Sequence, residues 1–508
     1  MRGIVVIAGV LAGCMATAGA ADRPNILLVF SDDHAEQAVS ACGSKVNVTP
    51  HLDRLAAGGA RFANSFVTNS ICTPSRATLL TGQYSHVNGV PVFNHFDGGR
   101  EHVAKLLQRA GYHTGMVGKW HLGTDPTGFD RWIVLPGQGG YRDPQFLVPG
   151  RTLTVKGHAS AVITDLGIEF LESRPRDKPF FLMLHHKAPH RNWVPDERNA
   201  AKFADARVPE PPTLRDDYAT RPAALPGTRQ TIARDLTRKD LKQDPPEGLG
   251  DDALLAWKYR RYMQDYLACV QGVDDSVGRM LDHLDAAGLA ESTVVIYTTD
   301  NGWYMGEHGL YDKRFMYEPG LRVPLVARGP GVKPGVVPPQ FVANIDLAPT
   351  FLDLAGVAVP EWMQGRSLVP LLRGAAPADW RTSVYYRYYH DPGHHDTRAH
   401  YGVRTATHKL IHYWRQDAWE LYDLGADPHE LHNLLFDPAE AARPEVAATF
   451  AELKAEIARL QRHYADDGRF ADPATLPADD VDGPFPGRRP LGEVTVAEAI
   501  AAAGSAGP

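Results

Sequence analysis

Four apolar runs in this chain each end in a cluster of polar residues. Ile26 to Phe30 leads into Ser31, Asp32, Asp33 and His34, and Tyr112 to Val117 leads into Gly118, Lys119, Trp120 and His121. Pro179 to Leu184 is followed by His185, His186, Lys187, Ala188, Pro189 and His190, and Thr293 to Thr298 by Thr299, Asp300, Asn301 and Gly302. Apolar runs of this kind, without polar alternation, predict strands buried on both faces. The segment from Arg61 to Thr68 reads as a further strand. Between these runs the period is helical. Thr49 and Pro50 open a helix through Leu52 and Leu55 to Gly58, Val103, Leu106 and Leu107 mark a second over 101–110, and a third covers about 158–173. Residues 252–287 carry Leu255, Tyr259, Tyr262, Tyr266, Val270, Val273, Val277, Met280 and Leu284 at spacings of three and four, which predicts one long helix or two in tandem. Strands alternating with helices predict an α/β fold with a large, mostly parallel sheet sandwiched by helices. Such sheets bind ligands outside the carboxyl ends of their strands, where the four polar clusters fall.

The pattern changes after about residue 375. Val384 to Tyr389, Lys409 to Trp414 and Trp419 to Leu424 read as aromatic strands, and a polar helix follows over about 443–463. This predicts a smaller C-terminal α+β subdomain of antiparallel strands with one helix, over 376–472, beside a main domain over 22–375. Residues 194–250 are rich in Pro, Arg and Asp and are too long for an ordinary loop, which marks a functional insertion. The last stretch, 473–508, is rich in Pro, Gly and Ala and reads as a tail ordered only where it docks. At the other end, Arg2 and the apolar run Ile4 to Leu11 are too short for a spanning helix and predict a secretory signal over 1–21. Leu11 to Cys14 fits a bacterial lipobox, which leaves Cys14 lipidated, and Ala18 to Ala20 fits ordinary signal cleavage. Both readings export the protein to the periplasm or beyond, and a lipid on Cys14 is the one membrane attachment expected.

Composition narrows the chemistry. With 44% apolar and 22% charged residues the chain is an ordinary globular protein, and its net charge of −7 argues against a nucleic-acid partner. An anionic substrate then needs positive charge concentrated in one site. Four cysteines are too few for a disulfide scaffold, and Cys42 and Cys269 are left either paired or free. Cys72 opens the stretch Cys72-Thr73-Pro74-Ser75-Arg76, where Pro74 suits a first helical turn and Gly82 a stop. A helix N-terminus favours an anion, and Arg76 adds a fixed positive charge one turn on. Asp32, Asp33, Asp300 and Asn301 are all oxygen donors, which suits calcium or magnesium; the missing His and thiolate partners argue against zinc. Taken singly, each of these is also what an N-cap, a turn or a buried structural cysteine looks like.

Together, C-T-P-S-R, A-T-x-L-x-T-G, the paired acids and the D-N pair resemble the formylglycine-dependent sulfatases of the alkaline-phosphatase-like superfamily, over roughly residues 24–440. The resemblance implies that Cys72 is oxidised by a formylglycine-generating maturation enzyme, that its hydrate is the nucleophile, and that it ligates the metal beside Asp32, Asp33, Asp300 and Asn301. It implies that Arg76 stabilises the hydrate, that Lys119 and His121 in G-K-W-H-L-G surround nucleophile and sulfate, and that His190 and Lys313 complete the sulfate contacts. Three further stretches, 135–141, 306–317 and 385–401, resemble bacterial carbohydrate sulfatases of the N-acetylglucosamine-6-sulfatase type. The implied substrate is a sulfated saccharide, with N-sulfoglucosamine or iduronate-2-sulfatase activity, a phosphonate or phosphate ester hydrolase, and a non-catalytic glycan binder as the alternatives. Substrate choice is expected outside the sulfate pocket, on Trp193 and on the block from Tyr385 to His400.

Active protein is expected to carry a mass deficit at Cys72 matching conversion of the thiol to an aldehyde, read by peptide mass spectrometry; an intact thiol in fully active enzyme would contradict the implied nucleophile.

Overall fold

A computed structural model describes residues 23–483 and 485–504. The predicted secretory signal and Cys14 lie outside the described residues. In chain order the main strands are β1 (Asn25–Ser31), β2 (Ala60–Arg61), β3 (His113–Lys119), β4 (Arg131–Leu135), β5 (Gln145–Val148), β6 (Arg151–Thr154), β7 (Phe180–His185), β8 (Thr293–Thr299), β9 (Val326–Arg328), β10 (Ser383–Tyr388), β11 (His400–Thr405), β12 (His408–Tyr413), β13 (Ala418–Asp423) and β14 (Arg489–Glu493). Ten of them form one sheet in the order β14-β6-β5-β4-β3-β7-β1-β8-β9-β2. Its centre, from β4 to β8, is parallel throughout.

Burial on both faces explains the unbroken apolar runs. Along β1, Leu27 and Val29 join the core shared with the helices Ala159–Ser173 and Asp251–Ala286. Ile26, Leu28 and Phe30 join the opposite core, beneath the helix Cys72–Thr81. The long apolar stripe over 252–287 is one continuous helix. The parallel centre places the carboxyl ends of β1, β3, β7 and β8 along one edge, so all four polar clusters emerge together. Main-chain contacts hold that edge: Asp32 N donates to Ala188 O at 3.2 Å and His186 N to Phe30 O at 2.7 Å.

Several elements differ from expectation. Within the predicted strand 61–68 only Arg61, the end of Ala60–Arg61, and Ser65–Phe66 are in strands, and these belong to different sheets. The C-terminal subdomain has four antiparallel strands, because His400–Thr405 pairs between β10 and β12. Gly402 hides that strand in the sequence; a Cβ there would lie 2.3 Å from Leu410 O and 2.6 Å from Met316 Sδ, so the position takes only glycine. Cys42, Cys72 and Cys269 are free thiols.

The stretch 473–504 is built into the main domain. β14 pairs in parallel with β6 at the sheet edge, and the helix Val496–Ala503 packs on Ala159–Ser173. Its composition is low in large apolar residues, but Ile500 is 1% exposed within the core. Ile500→Ala is expected to cost about 2–4 kcal/mol of stability, read as a lowered Tm in thermal unfolding.

Candidate active site

Helix Cys72–Thr81, labelled α1, starts on Cys72, has every residue buried and is ended by Gly82 at φ 62°. Full burial explains why its sequence lacks a polar face. Arg76, one turn from Cys72, ties the helix to two strand ends. Its Nη2 and Nε donate to Asp300 Oδ2 at 2.7 and 3.1 Å, and its Nη1 donates to Lys119 O at 2.5 Å. The guanidinium is thus spent on the acid cluster and on the end of β3.

Beside Cys72 three carboxylates converge. Asp32, Asp33 and Asp300 are all fully buried, and one oxygen from each lies within 4.8 Å of the others. Lys313 Nζ donates to Asp33 Oδ1 and Oδ2 at 2.5 and 2.7 Å and sits 3.4 Å from Cys72 Sγ. Lys119 pairs with Asp32 and donates to Gln138 Oε1 at 2.6 Å. The acids are unequal. Burial pushes Asp32 up, yet Lys119, with Arg76 and Lys313, holds it well below the ordinary carboxylate range. Burial raises Asp33 to about 7, against the pull of Lys313 and with Asp32 and Asp300 adding repulsion. Burial also raises Asp300, with Asp32 adding to it.

This donor set fits a hard divalent cation. The ligands are oxygens, and Asn301 Oδ1 is buried with no hydrogen-bond partner, while its Nδ2 lies 3.1 Å from Asp33 Oδ1 and 2.9 Å from Asp300 Oδ1. Three carboxylates against Lys119, Lys313 and Arg76 cancel formally, so a dication enters most readily together with an anion.

Two histidines flank the cluster. His190 Nε2 lies 3.7 Å from Asp33 Oδ2, and its Nδ1 donates to Arg191 O at 2.6 Å. Burial and the charge of Lys119 hold its pKa well below the usual value. His121 Nε2 donates to Asp482 Oδ1 at 3.1 Å; burial lowers its pKa to about 4 against the opposing pull of Asp482. Above these groups opens a cavity of about 490 Å³, lined by Asp33, His190, Lys313, Gln138, Asp312, Arg314, His394, His395 and Asp482. Of the residues read from the sequence as metal-binding or sulfate-handling, Asp33, His190 and Lys313 line it, and Asp32, Cys72, Arg76, Lys119, His121, Asp300 and Asn301 lie behind them, linked by the contacts above.

The two substrate candidates are elsewhere, and both expectations are corrected. Trp193 is fully buried, with ring centroids of Tyr262, Trp303 and Tyr311 at 4.6, 6.2 and 6.3 Å; it is core. His400 is fully buried among Phe315, Tyr386, Tyr388 and Tyr413. Its Nδ1 donates to Arg398 O at 2.8 Å and its Nε2 accepts from Met316 N at 3.1 Å, which leaves the ring no free edge. Tyr385, Tyr386, Tyr388 and Tyr389 are buried too. Of the proposed block, His394 and His395 reach the cavity. Sequence reasoning missed Gln138, although it lies in the family-like stretch 135–141, and Asp482, for which a polar residue in a Pro- and Gly-rich tail carried no signal.

A sheet with the Cys72 helix, an acid cluster and paired lysines at its carboxyl edge is a setting suited to anionic esters. The sulfatase family model matches residues 24–357, and the model of the N-sulphoglucosamine sulphohydrolase C-terminal region matches residues 306–463. The chain belongs to the sulfatase family, in the alkaline-phosphatase-like superfamily, and is a sulfuric ester hydrolase. It is 42% identical over 492 residues to an N-acetylglucosamine-6-O-sulfatase of Bacteroides thetaiotaomicron, covering 87% of each chain. It is 29% identical over 416 residues to the N-acetylglucosamine-6-sulfatase of Homo sapiens, covering 75% of this chain and 70% of that one. A protein solved in complex with its substrate D-glucosamine-2-N,6-O-disulfate matches with a TM-score of 0.84 at 42% identity, covering 88% of this chain and 99% of its own.

His400→Ala is expected to lower Tm, through a buried cavity and an unpartnered Met316 N–H, and to depress kcat/KM equally on a saccharide sulfate and a small aryl sulfate. A selective loss on the saccharide would return His400 to substrate recognition.

Proposed function

We propose that this protein is an exported carbohydrate sulfatase that removes the 6-O-sulfate of N-acetylglucosamine or a closely related glucosamine. One observation carries the reading. Lys313 and His190 line a single cavity, with Cys72 against Lys313 and Lys119 bonded to the lining Gln138, in a chain 42% identical over 492 residues to a protein with that activity.

Asp32, Asp33, Asp300, Asn301 and residue 72 are the groups that would hold calcium or magnesium, which when bound neutralises a sulfate oxygen as a Lewis acid. Cys72, oxidised by a maturation enzyme to formylglycine, would supply a hydrated aldehyde as the nucleophile. The chain's own residues do the rest. Lys313, beside Cys72, and Lys119, anchored by Asp32 and Gln138, present two ammonium groups to an ester whose negative oxygens repel attack. Preorganised charge of this kind is commonly the largest catalytic contribution, with one donor worth on the order of 10²–10³-fold. With Nδ1–H committed to Arg191 O, His190 exchanges its catalytic proton at Nε2, at the cavity surface. Its lowered pKa keeps it neutral until an anionic ester arrives to offset the lysines, and it then protonates the leaving sugar oxygen. That contribution is typically about 10²–10⁴-fold. His121 takes a proton on the side facing α1. In export, the lipobox reading places the protein on a membrane through Cys14, and ordinary cleavage leaves it in the periplasm or secreted.

The test is sulfate release from defined saccharides. N-acetylglucosamine-6-sulfate is expected to be cleaved at least tenfold more efficiently than N-sulfoglucosamine or 2-sulfated iduronate, and preference for either of the latter would overturn the assignment. Cys72→Ala is expected to abolish turnover with Tm retained, and Asp300→Ala or chelation to cut it severely.

A further inference from the structure

The segment from Asp479 to Gly483 crosses the cavity and lies beyond both family-matched stretches, which end at 357 and 463. It is fixed there. Asp480 N and Val481 N donate to Phe93 O at 3.0 and 2.9 Å, and Val481 is 2% exposed in a core with Phe93. Beyond it, Arg488 Nη1 donates to Val148 O at 2.7 Å, and β14 then joins the sheet. At its centre Asp482 meets His121. The approach requires Gly137: at φ 49°, a Cβ there would sit 2.6 Å from Asp482 Oδ1.

The contacts decide where the His121 proton resides. A carboxylate only accepts, so Asp482 Oδ1, 3.1 Å away, takes the N–H of Nε2. Gln138 Oε1 accepts from Lys119, and its amide Nε2 lies 3.3 Å from His121 Nε2; the charged Asp482 oxygen is the nearer and stronger partner, and it claims the Nε2 proton. On the other side, Nδ1 is 3.5 Å from Thr73 Oγ1. That hydroxyl donates to His121 O at 2.8 Å, so it has no proton left for Nδ1, whose lone pair lies on the Thr73 side at the start of α1. A buried neutral imidazole carries one proton, and the hydrogen bond at one nitrogen determines the basicity of the other.

We propose that Asp482 is a positioning residue, carried into the site by the C-terminal segment, which holds the His121 proton on Nε2 and leaves Nδ1, on the Thr73 side at the start of α1, as the base that serves residue 72. This rests on the reading of residue 72 as the nucleophile.

Asp482→Asn is expected to lower kcat about 10- to 10³-fold, within the whole contribution of a positioned base, with KM changed less than twofold. Asp482→Glu should recover part of that loss. Gly137→Ala, which displaces Asp482 without touching its charge, should reproduce it, and Glu493→Gln on the same segment should leave both constants unchanged. The readout independent of turnover is the ring ¹⁵N spectrum of histidine-labelled Cys72→Ala protein, assigned by loss of the His121→Gln signal. It should show His121 protonated on Nε2, and a mixture of tautomers once Asp482→Asn is added. Wild-type kcat in Asp482→Asn and Gly137→Ala, or a His121 proton on Nδ1, would overturn the proposal. Full activity of Cys72→Ala would instead remove the nucleophile reading, while the tautomer spectrum would still report on Asp482.

Discussion

Three carboxylates buried within hydrogen-bonding distance of common partners are the constraint on which this structure turns. Isolated in a dry interior, Asp32, Asp33 and Asp300 would repel one another and protonate. Arg76, Lys119 and Lys313 oppose that, holding Asp32 ionised while Asp33 and Asp300 stay raised, and each comes from a different part of the chain: a helix, a strand end and a loop after β8. The site therefore exists only when the parallel sheet has aligned its strand ends and α1 has docked beneath them. Folding and assembly of the charge cluster are the same event.

Balance without surplus also explains how the pocket discriminates. The floor is formally neutral, so it offers no general attraction to polyanions, in keeping with a chain of net charge −7. Its lysines and arginine are already paired, and an incoming anion is favoured most when a dication shares the acids. Selectivity for a sulfate ester thus follows from geometry at the sheet edge rather than from bulk charge.

The wall above the floor comes from regions remote in sequence. His394 and His395 arrive from the C-terminal subdomain, and Asp482 from the last stretch of the chain. That stretch is held by main-chain bonds, a sheet-edge strand and a small apolar helix, none of which needs a conspicuous side-chain pattern. Trp193 and His400 illustrate the converse. Both have the chemistry of sugar-binding residues, and both are consumed by packing, one in an aromatic core and one between two backbone partners.

The sequence by itself determined the α/β class, the parallel centre of the sheet, the long helix and the residues of the pocket floor. It could do so because strands buried on both faces must be continuously apolar, and because acids placed directly after such strands have few structural uses. It did not reveal β11, whose pattern is broken by a glycine that close backbone contact demands, nor β14, whose residues are exposed at a sheet edge. The tertiary structure alone decided which polar residues of the second half face the cavity. The half-exposure of His395, the burial of His400 and the reach of Asp482 to His121 depend on contacts between segments from 84 to 361 residues apart, and local periodicity carries no record of those.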